Sequence, residues 1–200
     1  YEQFLAHELT ATNGGIAIAT SPELRQREGA YYTPTPVVRY LVAEALGGNV
    51  HAILQDALDQ IEHGEYKSAH ATIERLSRLK VLDIACGSGA FLIEAFDVIF
   101  EAYRTYNAAL RDHTTRSGAG FAALLEGGLV DNEGERVLRE NIFGIDKDGQ
   151  AVEVAKLNLW LKLLRSDPQR YTRTESRAPK RLPDLIKNVY VSDSLVPRAA

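Results

Sequence analysis

The segment Lys80–Leu92, KVLDIACGSGAFL, sets the narrowest limits on what this chain can fold into. A short apolar run carrying Asp83 opens into Gly87-Ser88-Gly89, and a second, longer apolar run begins at Ala90. The change of period predicts a buried strand over Lys80–Ala85, a turn at Gly87–Gly89 and a helix over Ala90–Tyr103. That helix is apolar almost all round, with Ile93, Phe96, Val98, Ile99 and Phe100, so it is expected to pack on two sides in a layered α/β domain. In parallel sheets such a turn lies beyond the carboxyl end of its strand, where ligands bind.

Phosphate-bearing ligands fit the turn poorly. A dinucleotide fingerprint needs a third glycine where this chain has Leu92, and a phosphate loop needs Gly-Lys-Ser/Thr, which does not follow. Two glycines let a backbone come close to a bulky ligand, and a helix starting at Ala90 offers N–H groups to a carboxylate.

Two further strands complete the pattern. Ile142–Asp146 leads into a helix from Gly149 to Leu164, and Ile186–Ser192 follows. Strand–helix–strand–helix–strand predicts right-handed crossovers and a parallel sheet. Three acids then fall at or beside three strand ends: Asp83, Asp146 and Asp193.

Before the sheet, Phe4, Leu5 and Leu9 suggest a short amphipathic helix, and Ile16–Ala19 a short strand. Thr33-Pro34-Thr35-Pro36 reads as a helix start, capped by threonine and tolerant of proline. Val38, Leu41, Val42, Ala45 and Leu46 form its apolar stripe, with Gly47 as its end. Two more helices are expected, one ending at Gly64 and one lined by Ala69, Ile73, Leu76 and Leu79. Residues 105–140 read as an insertion with helical patches at Phe121–Leu125 and Arg136–Glu140.

Composition bounds the function classes. Two hundred residues with 45% hydrophobic content suit one domain with a buried core. No apolar run approaches the length of a membrane helix, and no signal-peptide pattern is present. One cysteine, Cys86, allows no internal disulfide, which suits the reducing cytoplasm. It reads as a small packed residue rather than a nucleophile. His7, His51, His63, His70 and His113 lack metal-ligand spacing, and no metal is expected. The net charge of −4 does not mark a nucleic-acid binder, yet Arg165–Arg181 holds six Lys/Arg against two acids. This segment is either a solvated loop or a patch for DNA phosphates. The chain has no methionine even at position 1, so it is expected to be part of something longer.

Asp83-Ile-Ala-Cys-Gly-Ser-Gly-Ala-Phe-Leu resembles the S-adenosylmethionine loop of DNA adenine-N6 methyltransferases, in which Asp-Pro-Ala-Cys-Gly-Ser-Gly is common. Ile84 departs from the usual proline. Gly29-Ala-Tyr-Tyr-Thr-Pro-Thr-Pro resembles the segment that precedes this loop in the family and closes over the methionine end of the cofactor. The order, Tyr-Tyr-Thr-Pro before the cofactor loop, is that of combined restriction–modification enzymes and of modification subunits in restriction systems.

The resemblance implies a Rossmann-like S-adenosylmethionine-dependent methyltransferase fold with a helical N-terminal extension, incomplete at its C-terminus. It implies a helical segment over 1–79 and a cofactor-binding half over 80–200, with the insertion 105–140 and the basic loop 165–181. The implied cofactor residues are Tyr32, Thr33, Pro34, Asp83, Ala85, Gly87, Gly89, Phe91, Asp146, Lys147, Asp193 and Ser194. Asp146 corresponds to the acid that holds the ribose hydroxyls, Asp193 to the one that accepts from the adenine amino group. DNA, a restriction or specificity partner, and a role in restriction–modification or phage defence are likewise implied.

Plainer roles stand beside these. Asp83 would serve equally as a cap of its own turn, Tyr31, Tyr32 and Pro34 as core and helix start, and Phe91 as core. The family's Asn/Asp-Pro-Pro-Tyr/Phe motif, which presents a flipped-out base, does not occur: Asp167-Pro168 precedes Gln169, and Leu182-Pro183-Asp184 has the wrong order. No catalytic residue is therefore assigned, and the chain is expected to be inactive alone. Protein-glutamine and RNA methyltransferases, and a non-catalytic cofactor-binding module, remain as alternatives.

Overall fold

The computed structural model describes residues 7–12, 15–20, 33–118, 128–171 and 180–195. Tyr31, Tyr32, Phe4, Leu5 and the patch Phe121–Leu125 lie outside them.

Among the described residues the first element is a hairpin, and it takes in Leu9, which the sequence assigned to a helix. Strands β1 (His7–Thr12) and β2 (Gly15–Thr20) pair antiparallel, with Thr12 opposite Gly15. Asn13-Gly14 stands between these partners, and Asn-Gly between strands is the strongest short-range hairpin signal. Alternating β-branched residues, Thr10 and Thr12 in β1, Ile16 and Ile18 in β2, outweigh the apparent helical spacing of Leu9.

Helix α1 (Thr35–Val42) starts on prolines rather than on a threonine cap. Pro34 occupies the cap position, and no side chain caps the first turn. The Pro34 carbonyl accepts from the N–H groups of Val37 and Val38 at 2.8 and 3.1 Å. Gly47 does not end the helix. A π-helical turn, Ala43–Gly47, carries the chain straight into α2 (Gly48–Glu62), and both Gly47 and Gly48 are right-handed, with φ of −58° and −59°. Nothing lies within 4 Å of a Cβ added at either. Gly47→Ala and Gly48→Ala are therefore expected to stabilise the protein by about 0.5–1 kcal/mol each, read as a higher Tm. Gly64 does close α2, at φ +76°. Helix α3 (Tyr66–Ile73) tightens into a 3-10 turn at Glu74–Arg78 before the sheet.

The sheet has the predicted parallel order, β3 (Val81–Asp83), β4 (Ile142–Asp146), β5 (Val189–Val191), with β4 in the middle. Helix α4 (Ala90–Arg116) follows β3, and α6 (Gly149–Ser166) follows β4. The two helices touch each other and the same face of the sheet. On that face Gly144 leaves room for the core, because a Cβ there would stand 2.7 Å from Leu92 Cδ1 and 3.1 Å from Cys86 Sγ, which would have to shift.

Strand β3 is shorter and less buried than its composition suggests. Alternation puts Val81 and Asp83 toward the helices, and leaves Leu82 and Ile84 55% and 54% exposed. Strand β5 also starts late: the Asn188 amide donates to the carbonyls of Leu138, Arg139 and Ile142, holding the preceding turn under β4.

Much of the expected insertion belongs to the core. Helix α4 runs 27 residues, about 40 Å, and does not stop at Tyr103. Tyr103, Tyr106 and Leu110 continue its buried stripe, and no glycine or proline interrupts it. Asn107 in this stripe clamps the returning chain. Its amide exchanges 2.9 Å bonds with the Val130 carbonyl and N–H. Helix α5 (Glu133–Glu140) then leads to β4, and Gly134 lets it pack where a Cβ would meet Leu163 Cδ1 at 2.7 Å. Arg136 on α5 binds Glu74 through two nitrogens, tying α5 to the turn before β3.

Candidate cofactor site

The carboxyl ends of β3 and β4 are joined by the glycine turn. Cys86 N–H donates to the Ile145 carbonyl at 3.0 Å, extending the strand pairing by one bond. Gly87 N–H donates to Asp146 Oδ2 at 2.8 Å. Gly89 N–H closes the turn on the Cys86 carbonyl at 2.8 Å. Gly87 and Gly89 both adopt positive φ, +51° and +87°, which L side chains rarely tolerate. Gly89 has a second reason to be glycine: a Cβ there would stand 3.2 Å from Ala155 Cβ on α6. The close approach is thus to a helix as well as to any ligand.

The acids differ in their attachments. Asp146 Oδ1 accepts from Asp148 N–H at 2.9 Å, so both its oxygens are held by backbone. Asp83 Oδ1 accepts from Ala85 N–H at 3.1 Å, the turn-capping role. Burial pushes the Asp83 carboxyl above its ordinary value. The Ala85 N–H opposes this, and the charge of Asp146 adds to it. Burial, reinforced by Asp83 and Asp146, pushes the Cys86 thiol up to about 12, so it stays protonated and packs as a small apolar group. Among the described residues neither Asp83 nor Asp146 forms an ion pair.

Ser192 N–H donates to the Asp146 carbonyl at 2.9 Å, which sets Asp193 and Ser194 at the same edge of the sheet. Asp193 is exposed and turns its chain by accepting from Leu195 N–H at 2.9 Å. Lys147 and Ala85 are exposed beside the turn, whereas Phe91 is half-buried and packs against the core. Thr33 and Pro34 precede α1, which is linked to the first turns of α4 by Arg39 and Glu94 at 3.6 Å. Tyr32 lies outside the described residues.

The turn lies within the part of the chain that matches a known methyltransferase domain. The model of the MmeI DNA-methyltransferase domain matches residues 58–195. The chain belongs to this family. A Methanocaldococcus jannaschii protein named as a type II restriction enzyme and methyltransferase is 28% identical over 84% of the chain and 14% of its own length. The Escherichia coli type II restriction enzyme and methyltransferase Eco57I is 28% identical over 98% of the chain and 17% of its own. The Escherichia coli adenine-specific methyltransferase BrxX is 28% identical over 70% of the chain and 11% of its own. The chain therefore spans less than a fifth of these relatives. The resemblance drawn from Asp83–Leu92 to adenine methyltransferases of the restriction–modification type is borne out.

Within this MmeI-type domain, two contributors to the loop were not foreseen. Ala155 receives Gly89, and Asn158, one turn further along α6, donates from Nδ2 to the Ser88 carbonyl at 3.0 Å. The only sequence trace of the second is an amide inside the apolar run Leu157–Leu161.

The described parts of the basic segment, residues 165–171 and 180–181, lie at the other end of the domain; residues 172–179 are outside the described residues. Helix α6 leaves the carboxyl edge of β4 and spans about 27 Å, so Arg165 and Arg181 lie toward the amino edge, from which β5 starts. Arg170 pairs with Asp167 at 3.6 Å, and Lys180 pairs with Glu135. A cavity of about 190 Å³ between Phe100, Asn132, Leu163 and Tyr171 is also at that end and takes no part in the glycine turn.

Proposed function

We propose that this chain is the S-adenosylmethionine-binding part of a DNA methyltransferase that modifies adenine N6 within a restriction–modification system. The observation that carries the reading is the glycine turn fastened between Asp83 and Asp146 at adjacent strand ends. The MmeI family and the printed names of its relatives supply the DNA and adenine parts.

The residues suit a cationic cofactor. Asp83 is partly buried, and the nearby charge of Asp146 adds to what burial does to its carboxyl; a nearby positive charge relieves that arrangement. When bound, S-adenosylmethionine supplies an electrophilic methyl group on a sulfonium. Asp146 spends one acceptor site per oxygen on Gly87 and Asp148, and a carboxylate has about four such sites. The remaining ones would accept from ribose hydroxyls. Asp193 and Ser194 extend the same edge toward the adenine, and Thr33 and Pro34, with Tyr32, form the closing segment.

The sheet fits a larger Rossmann-like arrangement. Among the described residues strand β3 has one open edge, and Leu82, Ile84, Phe143, Ile145 and Tyr190 share the face away from α4 and α6. Parallel sheets are ordinarily covered on both faces. Further strands and helices of the methyltransferase, which would bring the Asn-Pro-Pro-Tyr motif, belong there. Without that motif the chain binds cofactor and does not methylate DNA. DNA contacts lie mostly outside it, and Arg165 and Arg181, at the far edge, are less suited to touch the reacting base than to meet flanking phosphates or a restriction or specificity partner.

Asp83 gives this proposal a pH test. Its carboxyl, raised in the folded protein, takes up a proton nearer neutrality than a free aspartate does, whose value is 3.8. The stability contributed by protonated Asp83 is present below 3.8 and is lost as pH rises through the raised value. At pH 7 its charge therefore costs stability. Asp83→Asn should raise Tm at pH 7 while weakening S-adenosylmethionine roughly tenfold, as loss of a charged contact does. Titration calorimetry with S-adenosylmethionine, S-adenosylhomocysteine and NAD tests the wider reading: the first two should bind, and preference for NAD would overturn it. Methyl transfer to adenine-containing DNA by the chain alone would contradict its assignment as a cofactor-binding part.

A further inference from the structure

We infer that Asn158 is a positioning residue for the cofactor turn, an inference that rests on the cofactor reading above. The Ser88–Gly89 peptide is pinned from both sides. Its N–H donates to the Cys86 carbonyl at 2.8 Å, and its C=O accepts from Asn158 Nδ2 at 3.0 Å. The first bond belongs to the turn itself, but the second comes from α6, seventy residues away. Ala155, three residues before Asn158 and so on the same helix face, touches Gly89. Helix α6 thus fixes both the depth of the turn, through Ala155, and the orientation of its last peptide, through Asn158.

Orientation matters because the turn leads straight into α4. Ile93 N–H donates to the Gly89 carbonyl at 2.9 Å as the first helical bond, so the pinned Ser88–Gly89 peptide is the last one before the N–H groups of the first helical turn. Those groups face whatever occupies the turn. Asn158 is half-buried, and its neighbours Leu157 and Leu159 are apolar. A polar side chain at this place in an apolar run has the Ser88 carbonyl as its partner. The strand-end acids do not replace it, since the Ser88 carbonyl needs a donor and a carboxylate offers only acceptors.

The test compares Asn158→Leu and Asn158→Ala, which remove the donor, with Asn158→Gln, which keeps an amide. Equilibrium affinity for S-adenosylmethionine and S-adenosylhomocysteine is measured with Tm and with amide-exchange protection at Ser88–Phe91. The inference predicts that Leu and Ala weaken both ligands roughly fivefold to tenfold, with faster exchange at Gly89, a nearly unchanged Tm, and most of the affinity restored in Gln. Wild-type affinity in both Leu and Ala would overturn it. So would a loss that follows Tm in all three variants, because that marks a purely structural bond. If the wild-type chain binds neither ligand, the cofactor reading itself fails and this inference falls with it.

Discussion

Asp146→Ala should weaken S-adenosylmethionine binding roughly 100-fold, the largest effect expected of any single side chain here. The carboxylate holds Gly87 N–H at 2.8 Å and Asp148 N–H at 2.9 Å, and its other acceptor sites are the ones proposed for the ribose hydroxyls. Hydrogen bonds to a charged group contribute about 1.5–3 kcal/mol each, and one such bond alone is worth tenfold or more. Alanine removes the ribose contacts and also frees the glycine turn. Asp146→Asn separates the two effects: its amide oxygen still accepts one backbone N–H, so the turn is partly kept while the charge is lost. Calorimetry should place Asn between wild type and Ala. Unchanged affinity in Asp146→Ala would remove the ribose assignment.

Gly89→Ala should destabilise the fold itself. At φ +87° an L residue costs about 1–2 kcal/mol. The added Cβ would also stand 3.2 Å from Ala155 Cβ and 3.4 Å from Ala155 Cα. These are a side chain's root and a helix backbone, neither able to swing away. Overpacking of this kind costs about 1–3 kcal/mol. Together they predict a fall in Tm of roughly 5–15 °C for a domain of this size, with weaker cofactor binding in whatever remains folded. A combined Gly89→Ala, Ala155→Gly variant relieves the clash but not the φ strain, and should recover only part of the loss. A Tm within a degree of wild type in Gly89→Ala would mean that the turn relaxes freely.

What the sequence showed and what it hid divide along the range of the interactions. Strand β4 was legible to the residue, because Ile142–Asp146 is bounded by Asn141 on one side and by the Asp148 cap of α6 on the other. The glycine turn was legible for the same reason: its conformation is local and only glycine satisfies it twice. The N-terminal hairpin was equally local but was masked by Leu9, whose helical spacing drew attention from Asn13-Gly14. Gly47 misled in the opposite direction, since glycine is tolerated in a helix whose packing comes from Leu46 and Val50 on either side. The extent of α4 was hidden because Tyr103 and Tyr106 are buried against partners that arrive from elsewhere in the chain.

The site divides in the same way. Asp83, Gly87, Gly89 and Asp146 could be found because each sits at a strand end or in the turn. Asn158 could not, because its partner, the Ser88 carbonyl, is seventy positions away and carries no side-chain signal. The basic segment was visible as charge, yet the position of Arg165 at the amino edge follows only from the path of α6.

The central claim is that the turn between β3 and β4 seats S-adenosylmethionine, and a 15N amide titration of this 22.1 kDa chain tests it most directly. Adding S-adenosylhomocysteine should shift the amides of Ala85–Gly89, Asp146–Asp148 and Ser192–Ser194 together, with one saturation curve. Shifts confined to the cavity around Phe100, Leu163 and Tyr171, or no saturable shifts at all, would contradict it.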